Sequence, residues 1–253
     1  MTGILLSGCN GKMGKAVTRC VAESTDCEII GGIDIFTEAS AGYPVFSAPA
    51  NVTNDITEKI DVIIDFSNPA ALSGLLEYAV KNSIPAVIST TGLSDSQINL
   101  IRDASKKIPV FFSANMSLGV NLVCELAKKA ANVLGDSFDI EIVEMHHNQK
   151  IDAPSGTALM IADSIKEELD DGVVYEYDRH SKREKRTKKE IGIHAVRGGT
   201  ITGEHQVIFA GLDEIITISH SARSKELFAT GAVSAAKFIC GKPAGLYKMS
   251  DML

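Results

Sequence analysis

The chain has 253 residues, a formal net charge of −7 and 45% hydrophobic residues. This composition is typical of a globular protein that buries a substantial core, in one large domain or two smaller ones. The negative balance excludes a general attraction for nucleic acids or anionic membranes, and no apolar run is long enough to span a bilayer. We therefore expect no nucleic acid and no membrane as partners.

Five cysteines are scattered along the chain without a C-x-x-C pair. This spacing argues against a disulfide framework and against a zinc site, and it favours a reducing compartment. We expect no metal ion. The first residues lead directly into a glycine turn without a basic segment, which is typical of a first strand rather than of a signal peptide.

The first half alternates short apolar runs with amphipathic segments. Strands are predicted at 3–7, 27–33, 61–66, 85–89 and 109–113, helices at 12–24, 69–82 and 94–107, and turns around 40–49. Strands that alternate with helices at this spacing indicate βαβ units. Their nearly continuous apolar character is typical of strands covered by helices on both faces. We therefore predict an α/β fold with an N-terminal Rossmann-type, doubly wound parallel sheet.

The pattern changes near residue 117. Helices are predicted at 117–134, 155–169 and 224–239, and strands at 138–142, 191–196, 201–209 and 214–219. These strands alternate polar and apolar residues, which indicates an open sheet with one wet face. We expect a dinucleotide-binding domain at 1–117, an α+β domain built on an open, mostly antiparallel or mixed sheet at 118–223, and a closing helix and tail at 224–253 that return to the first domain.

A glycine-rich turn joins the first strand to the first helix. Its residues are Gly8, Cys9, Asn10, Gly11, Lys12, Met13 and Gly14. Such a turn lets the backbone approach a pyrophosphate at the helix N-terminus, and Asp34 follows the second strand, where an acid accepts hydrogen bonds from ribose. The spacing G-x-x-G-x-x-G is not the standard one, so a plain βα turn is the alternative. No basic residue follows Asp34, which favours NADH, whereas Lys12 and Arg19 keep NADPH open.

Small polar residues follow three further predicted strands. They lie at Ser67 and Asn68 beside Phe66, at Ser89, Thr90 and Thr91, and at Ser113, Ala114, Asn115 and Met116. The carboxyl ends of the strands form the ligand crevice of such a sheet. Each group alone is typical of a helix N-cap, but their recurrence at successive strand ends favours contacts to ribose and nicotinamide.

The segment 144–158 concentrates titratable groups between a strand and a helix. It contains His146, His147, Lys150 and Asp152 before the turn Asp-Ala-Pro-Ser-Gly-Thr. Such groups beside a helix N-terminus suit proton transfer next to a bound anion, and a polar surface loop is the alternative. His146 can supply a proton near neutral pH, and Lys150 can pair with a carboxylate. Adjacent histidines on a strand point to opposite faces, which argues against a shared metal ion.

The segment 179–189 is strongly basic. It is interpreted first as a solvated mobile loop, second as a source of positive potential for a dicarboxylate, and last as a nucleic-acid contact, because no aromatic residues interleave. Its role stays open at this stage. Arg197 and Arg223 are further carboxylate partners or salt-bridge residues.

The motifs occur in an order that resembles one family. They are Lys12-Met-Gly14, Phe66-Ser-Asn-Pro69, Thr90-Thr-Gly92, Ala114-Asn-Met-Ser-Leu-Gly-Val120, the segment 144–158, Gly203-Glu-His205 and the stretch Gly245-Leu-Tyr-Lys-Met-Ser-Asp-Met-Leu253. Over essentially the whole chain they resemble the 4-hydroxy-tetrahydrodipicolinate reductases, also called dihydrodipicolinate reductases. The segment 144–158 is the most specific of these motifs.

The resemblance implies a cytoplasmic homotetramer whose second domain binds substrate and forms the oligomer. It implies hydride transfer from NADH or NADPH to C4 of a cyclic dicarboxylate, with loss of water, to give tetrahydrodipicolinate for lysine and diaminopimelate biosynthesis. Proton chemistry is then assigned to His146 and Lys150, and substrate contacts to His147, Ser155, Gly156 and Thr157. Cofactor contacts are assigned to Gly8–Met13, Asp34, Phe66, Ser89–Thr91 and Ser113–Met116.

Two departures from the family pattern concern the cofactor. The usual Gly-Thr-Thr-Gly begins with Ser89, which adds a side chain beside the nicotinamide, and Asp34 lacks the adjacent basic residue of some members. Cofactor choice is therefore not inherited. One rival is another NAD-linked reductase, which leaves the segment 144–158 unexplained. The other is a dinucleotide-sensing protein, which has no need of His146 and Lys150.

Overall fold

The first part of the structure alternates strands and helices in a computed structural model that describes residues 1–38, 42–169 and 171–253. The strands are β1 (Thr2–Ser7), β2 (Cys27–Ile33), β3 (Val45–Phe46), β4 (Val62–Asp65), β5 (Ala86–Ile88) and β6 (Pro109–Phe112), and the helices are α1 (Lys12–Ala22), α2 (Asn54–Thr57), α3 (Leu72–Lys81) and α4 (Asp95–Ser105). The predicted elements are all present. The stretch predicted as turns contains β3, and its Ser40 and Ala41 lie outside the described residues.

The second part contains two long helices and five strands, and the chain then ends on one more helix and strand. The elements are α5 (Leu118–Leu134), β7 (Asp139–His146), α6 (Gly156–Lys166), β8 (Val174–Glu176), β9 (Glu190–Arg197), β10 (Gly203–Ala210), β11 (Ile215–Ala222), α7 (Glu226–Ile239) and β12 (Gly245–Tyr247). Strand β7 is longer than predicted and includes His146. Strands β8 and β12 were not predicted.

Seven strands form one sheet in the order β12-β6-β5-β4-β1-β2-β3, and all neighbours run parallel. Its central strands are fully buried on both faces, as Ile4, Leu5 and Ile63 show. This observation explains why the strands are apolar throughout, and it confirms the predicted Rossmann-type sheet. The strand order reverses between β1 and β4, so the carboxyl ends of these strands frame a crevice.

The second sheet has the order β11-β10-β7-β9-β8. Strand β10 runs antiparallel to β11 and β7, whereas β7, β9 and β8 run parallel, so the sheet is mixed as predicted. Helices α5 and α6 pack on one face, where Ile142, Ile193, Val207 and Phe209 are buried with residues of both helices. Along β7, residues alternate between buried and half-buried positions, which places Glu144 and His146 on the buried face.

Contacts within the chain define two compact units. The first comprises residues 1–117 and 225–253, and the second comprises residues 118–224. Helix α7 packs on α1 and on β4, β5 and β6, which ties the last segment to the first sheet. None of the helices in the described ranges is long and apolar enough to cross a membrane.

Candidate active site

The glycine turn of the first unit is packed against the neighbouring strand end. Gly8 has a φ of +75°, which favours glycine, and a Cβ at this position would lie 2.7 Å from the carbonyl oxygen of Phe66. The backbone N–H groups of Gly8 and Cys9 donate to the carbonyl of Ile33, and that of Gly11 donates to Gly8. These N–H groups therefore hold the turn together, so the N–H groups that could bind an anion are those at the start of helix α1.

Helix α1 offers its first turn to an anion. No side chain caps its N-terminus, where Lys12 and Met13 are the first two residues. A helix start of this kind attracts a phosphate through its N–H groups and its dipole. Cys9 does not contribute a reactive thiol, because burial, reinforced by the charge of Asp34, raises the pKa of its thiol to about 11.

Asp34 lies directly beside the glycine turn. Its Oδ2 accepts the N–H of Asn10 at 3.0 Å, and its Oδ1 accepts the N–H of Phe36 at 3.1 Å. The side-chain amide of Asn10 donates to the carbonyl of Phe36 at 2.6 Å. Asn10 therefore fastens the loop after β2 to the turn, and Asp34 is fixed where the sequence places a ribose-binding acid.

A cavity of about 450 Å³ opens in the same unit. Of the predicted cofactor residues, it is lined by Met13, Phe66, Ser89, Thr90, Thr91, Ala114 and Met116. It is also lined by Ser67, Lys225 and Phe228. No role was predicted for Lys225 and Phe228, because the closing helix was expected to return to the first domain but nothing in its sequence marks these two residues as cofactor contacts. Ser113 and Asn115 instead shape the turn after β6 through mutual hydrogen bonds.

Asp65 supports this cavity, and sequence analysis gave it no role. Its side chain is completely buried, and it accepts hydrogen bonds from the hydroxyls of Thr90 and Ser67, both at 2.6 Å. The available signal was an acid at the end of an otherwise apolar strand. Buried carboxylates need such partners, so Asp65 fixes two of the hydroxyl residues that line the cavity, Ser67 and Thr90.

Ser89 is the best test of whether a dinucleotide fits the first unit. Its hydroxyl is buried and has no hydrogen-bond partner within the described ranges, although the residue lines the cavity. An orphaned buried hydroxyl suits a polar ligand group such as the nicotinamide carboxamide. Together with the uncapped helix start and Asp34, this hydroxyl makes the unit fit a nicotinamide dinucleotide.

The second unit holds a histidine centre at the end of β7. Nδ1 of His146 lies 2.6 Å from Oε2 of Glu144, whose side chain is completely buried. Arg197 on β9 donates two hydrogen bonds of 2.8 and 2.7 Å to the same carboxylate. Burial raises the pKa of Glu144, but hydrogen bonds from Arg197, His146 and Ser155 together hold it below its usual range. Of the two roles considered for Arg197, the structure therefore shows that of a salt-bridge residue.

Ser155 occupies an internal position at the start of α6. Its N–H donates to Oε1 of Glu144 at 3.0 Å, and its Oγ accepts the N–H of Ala158 and lies 3.0 Å from Nε2 of His205. The N–H of Ser155 is therefore already used by Glu144, so the predicted substrate contact of Ser155 does not involve this group. Gly156 and Thr157, in the first turn of α6, stay predicted substrate contacts.

His205 packs against the edge of His146. Their ring centroids are 5.2 Å apart, and burial, reinforced by the Coulombic effect of His146, lowers the pKa of His205 to about 4. His205 is therefore neutral at physiological pH. Gly203, two residues earlier on β10, lies opposite His146: a Cβ there would be 3.0 Å from Nε2 of the ring.

The remaining predicted residues lie in the loop after β7. Nζ of Lys150 pairs with Asp152 at 2.9 Å, and its N–H donates to the carbonyl of His147. His147 is half-buried. The loop thus presents Lys150 on a short turn directly after His146. Among the described residues, no group of three or more His, Cys, Asp or Glu is arranged to hold a metal ion.

The basic segment is paired with acids of the second sheet. Arg179 bonds to Glu190 at 2.9 Å, Arg186 contacts Asp139, and Lys182 contacts Glu176. These ion pairs neutralise part of the positive charge, so the segment is attached to β7, β8 and β9 in the structure.

Both halves of the chain match one protein family. Residues 2–116 match the family described as "Dihydrodipicolinate reductase, N-terminus", and residues 119–253 match "Dihydrodipicolinate reductase, C-terminus". A Rossmann-type unit with such a cavity, joined to a histidine-bearing unit, defines the class: the protein is an oxidoreductase that uses a nicotinamide cofactor. The chain belongs to the dihydrodipicolinate reductase family.

Individual relatives extend over the full chain. A 4-hydroxy-tetrahydrodipicolinate reductase from Caldanaerobacter subterraneus subsp. tengcongensis is 52% identical over 100% of this chain and 98% of its own length. One from Staphylococcus epidermidis is 48% identical over 98% of this chain and 99% of its own. The dipicolinate-bound dihydrodipicolinate reductase from Paenisporosarcina sp. TG-14 superposes with a TM-score of 0.82 at 26% identity, and each chain is covered completely.

Proposed function

We propose that this chain is a 4-hydroxy-tetrahydrodipicolinate reductase. It reduces 4-hydroxy-tetrahydrodipicolinate to tetrahydrodipicolinate with NADH or NADPH, and water leaves, as a step of lysine and diaminopimelate biosynthesis. The observation that carries the proposal is the grouping of His146, Lys150 and the start of α6 in one segment of a chain that matches such relatives along its length.

His146 is the proposed proton donor. The cofactor, when bound, supplies a hydride, and each reduction also consumes one proton while water is released. The ring of His146 is mostly buried, and its Nδ1 is held by Glu144, which leaves Nε2 for proton delivery. Lys150, at the end of the turn that follows, is the second proposed catalytic residue.

The substrate carries two carboxylates, which need fixed donors. The N–H groups of Gly156 and Thr157 in the first turn of α6 and the side chain of His147 are the proposed contacts. Lys150 is paired with the exposed Asp152, a partner that a substrate carboxylate can replace. Arg197 forms a salt bridge with Glu144, so we do not assign it to the substrate.

For the cofactor, we propose a modest preference for NADH. Asp34 is suited to accept hydrogen bonds from the ribose hydroxyls and repels a 2′-phosphate. The next two residues, Ile35 and Phe36, are exposed and apolar, so neither offers the phosphate a positive charge. Lys12 at the start of α1 is the nearby basic residue that limits the preference.

We also propose a cytoplasmic homotetramer in which residues 118–223 bind substrate and form the oligomer. The family resemblance supports this assembly, and the five cysteines are free thiols, which fits a reducing compartment. Light scattering on the purified chain measures the subunit number directly, and a monomer contradicts this part of the proposal.

Coupled turnover tests the function. The unstable substrate is generated from pyruvate and aspartate semialdehyde by a synthase, and oxidation of NADH and NADPH is followed separately. Oxidation that requires the synthase is expected, faster with NADH. The variant His146→Ala should lower kcat about 10²–10⁴-fold with a smaller change in KM. The control His194→Ala, on β9, should keep the wild-type rate. No synthase-dependent oxidation by wild-type protein that binds NADH contradicts the proposal.

A further inference from the structure

We propose that Glu144 is a positioning residue that holds the ring of His146 so that Nε2 delivers the proton. This inference deepens the proposed reductase function and rests on it. Glu144 precedes His146 by two residues on β7, so both side chains leave the same face of the strand. The assignment is carried by the hydrogen bonds of Glu144, by the position of Gly203 and by the charges around the ring.

The Glu144 carboxylate has a single fixed orientation. Its two oxygens receive four hydrogen bonds: two from Arg197, one from the N–H of Ser155, and one contact of 2.6 Å with Nδ1 of His146. Because these partners come from β9, from the start of α6 and from β7 itself, the carboxylate cannot rotate without breaking several bonds. Glu144 is also completely buried. It therefore acts through His146 rather than on the substrate.

This geometry determines which nitrogen of His146 is free. A carboxylate only accepts hydrogen bonds, so Nδ1 carries a hydrogen and donates it to Glu144. Nε2 is consequently the atom that exchanges a proton with a ligand. Position 203 is a glycine, and a Cβ there would lie 3.0 Å from Nε2. The absence of a side chain at Gly203 keeps that side of the ring open.

Several charged or titratable groups surround the ring. They are Glu144 on the same strand, Arg197 on β9, His205 on β10, His220 beyond it on β11, and Lys150 on the following loop. Burial lowers the pKa of both His205 and His220, so these two rings are neutral near pH 7. Glu144 is therefore the carboxylate that lies directly against Nδ1 of the ring.

The test compares Glu144→Gln with the matched control Glu141→Gln. Glu141 lies on the opposite face of β7 and pairs with His194 at 2.8 Å, so the control removes an equivalent carboxylate–histidine contact elsewhere. In E144Q, kcat should fall about 10- to 100-fold with little change in the KM for the dicarboxylate. E141Q should match the wild type.

Histidine-selective ¹⁵N NMR of the full chain separates this inference from the function itself. Wild-type His146, assigned by the signal missing in H146A, should show a hydrogen on Nδ1, and E144Q should lose this preference. The spectrum needs no turnover, so a wild type without reductase activity refutes the function and leaves this result standing. An E144Q protein with wild-type kcat and ring signal overturns the inference.

A second variant covers the case in which E144Q does not fold. Glu144→Asp keeps the charge but shortens the side chain by one methylene, which withdraws the carboxylate from Nδ1. We expect a lower kcat with NADH binding retained, because the carboxylate no longer reaches Nδ1. Wild-type kcat in E144D also overturns the inference, because the reach of the carboxylate then has no effect.

Discussion

The hydroxyl of Thr90 donates a 2.6 Å hydrogen bond to Oδ2 of Asp65, a carboxylate with no solvent exposure. Asp65 ends β4, Thr90 lies in the loop that follows the neighbouring parallel strand β5, and Thr90 also lines the cavity of the first unit. A buried charge of this kind depends on its donors, because water cannot replace them. The shape of the cavity and the stability of the first unit therefore rest partly on the same hydrogen bond.

Thr90→Val tests this dependence, because valine matches the shape of threonine and lacks the hydroxyl. We expect the free energy of unfolding to fall by about 1–3 kcal/mol, as Asp65 loses a charge-assisted bond in a buried place. Urea denaturation measures the change. Thr91→Val, at the exposed neighbouring position, should stay within about 0.5 kcal/mol of the wild type. Equal stability of both variants contradicts the role given to Asp65.

Ser89→Ala removes the orphaned hydroxyl of the cavity without changing the backbone. We expect the Kd for NADH to rise about 3- to 10-fold, because a hydrogen bond made only in the complex is lost. The stability of the free protein should not fall, because the hydroxyl has no partner there. Fluorescence titration gives the Kd, and Ser73→Ala on the surface of α3 is the control. An unchanged Kd shows that the hydroxyl does not contact the cofactor.

Stability should depend on pH through His205. Its folded pKa of about 4 lies below its ordinary value of 6.5, so the unfolded chain takes up the proton first as the pH falls. The contribution of neutral His205 to the free energy of unfolding is complete above pH 6.5. It is lost as the pH falls from 6.5 to about 4, and the total loss is about 3 kcal/mol. Glu144 adds a further loss only below about 4.5, the ordinary value for its carboxyl.

His205→Gln should flatten the pH dependence in this window. The glutamine keeps a polar side chain but has no proton to gain, so the difference in unfolding free energy between pH 8 and pH 5 should shrink. Denaturation at the two pH values measures it, and a lower stability of the variant at pH 8 does not affect the comparison. An unchanged difference assigns the acid sensitivity to other groups.

Gly203→Ala places a methyl group against Nε2 of His146. We expect kcat to fall about 10- to 100-fold, because a small displacement of a catalytic ring is costly, while NADH affinity stays the same. Gly198→Ala is the control, because a Cβ at that position meets nothing within 4 Å. Steady-state kinetics of both variants decide the point. If the two alanine variants are equally active, the ring does not need the open side.

The elements of the fold that could be predicted are those with a local pattern in the sequence. Continuous apolar runs marked the strands of the first sheet because helices cover both of its faces, and the alternation in the second half marked a sheet covered on one face. Strand β3 was not predicted because a strand of two residues is too short to show an alternation of polar and apolar side chains. Strand β12 was missed because it exists only through its pairing with β6, far earlier in the chain.

The residues of the candidate site were likewise predictable only where they lie close together in the sequence. His146 and Lys150 stand in one conspicuous segment, so their grouping was visible in the sequence. The partnership of Glu144 with Arg197 spans 53 residues, and that of Asp65 with Thr90 spans 25, so only the paired strands bring them together. The hydrogen bond from the Ser155 N–H to Glu144 was not predictable for the same reason. The sequence does not show which acceptor lies next to the start of a helix in the folded chain.

The return of α7 and β12 to the first unit affects the order in which the protein is made. Residues 118–224 form a compact unit of their own and leave the ribosome before α7 exists. Helix α7 packs on β4, β5 and β6, so the nascent Rossmann-type sheet stays uncovered on that surface until the helix emerges. Domains usually complete their folding from the N-terminus onward during synthesis. In this chain we therefore expect residues 118–224 to complete their folding first. The unit that begins at the N-terminus can complete its folding only after α7 and β12 have been made.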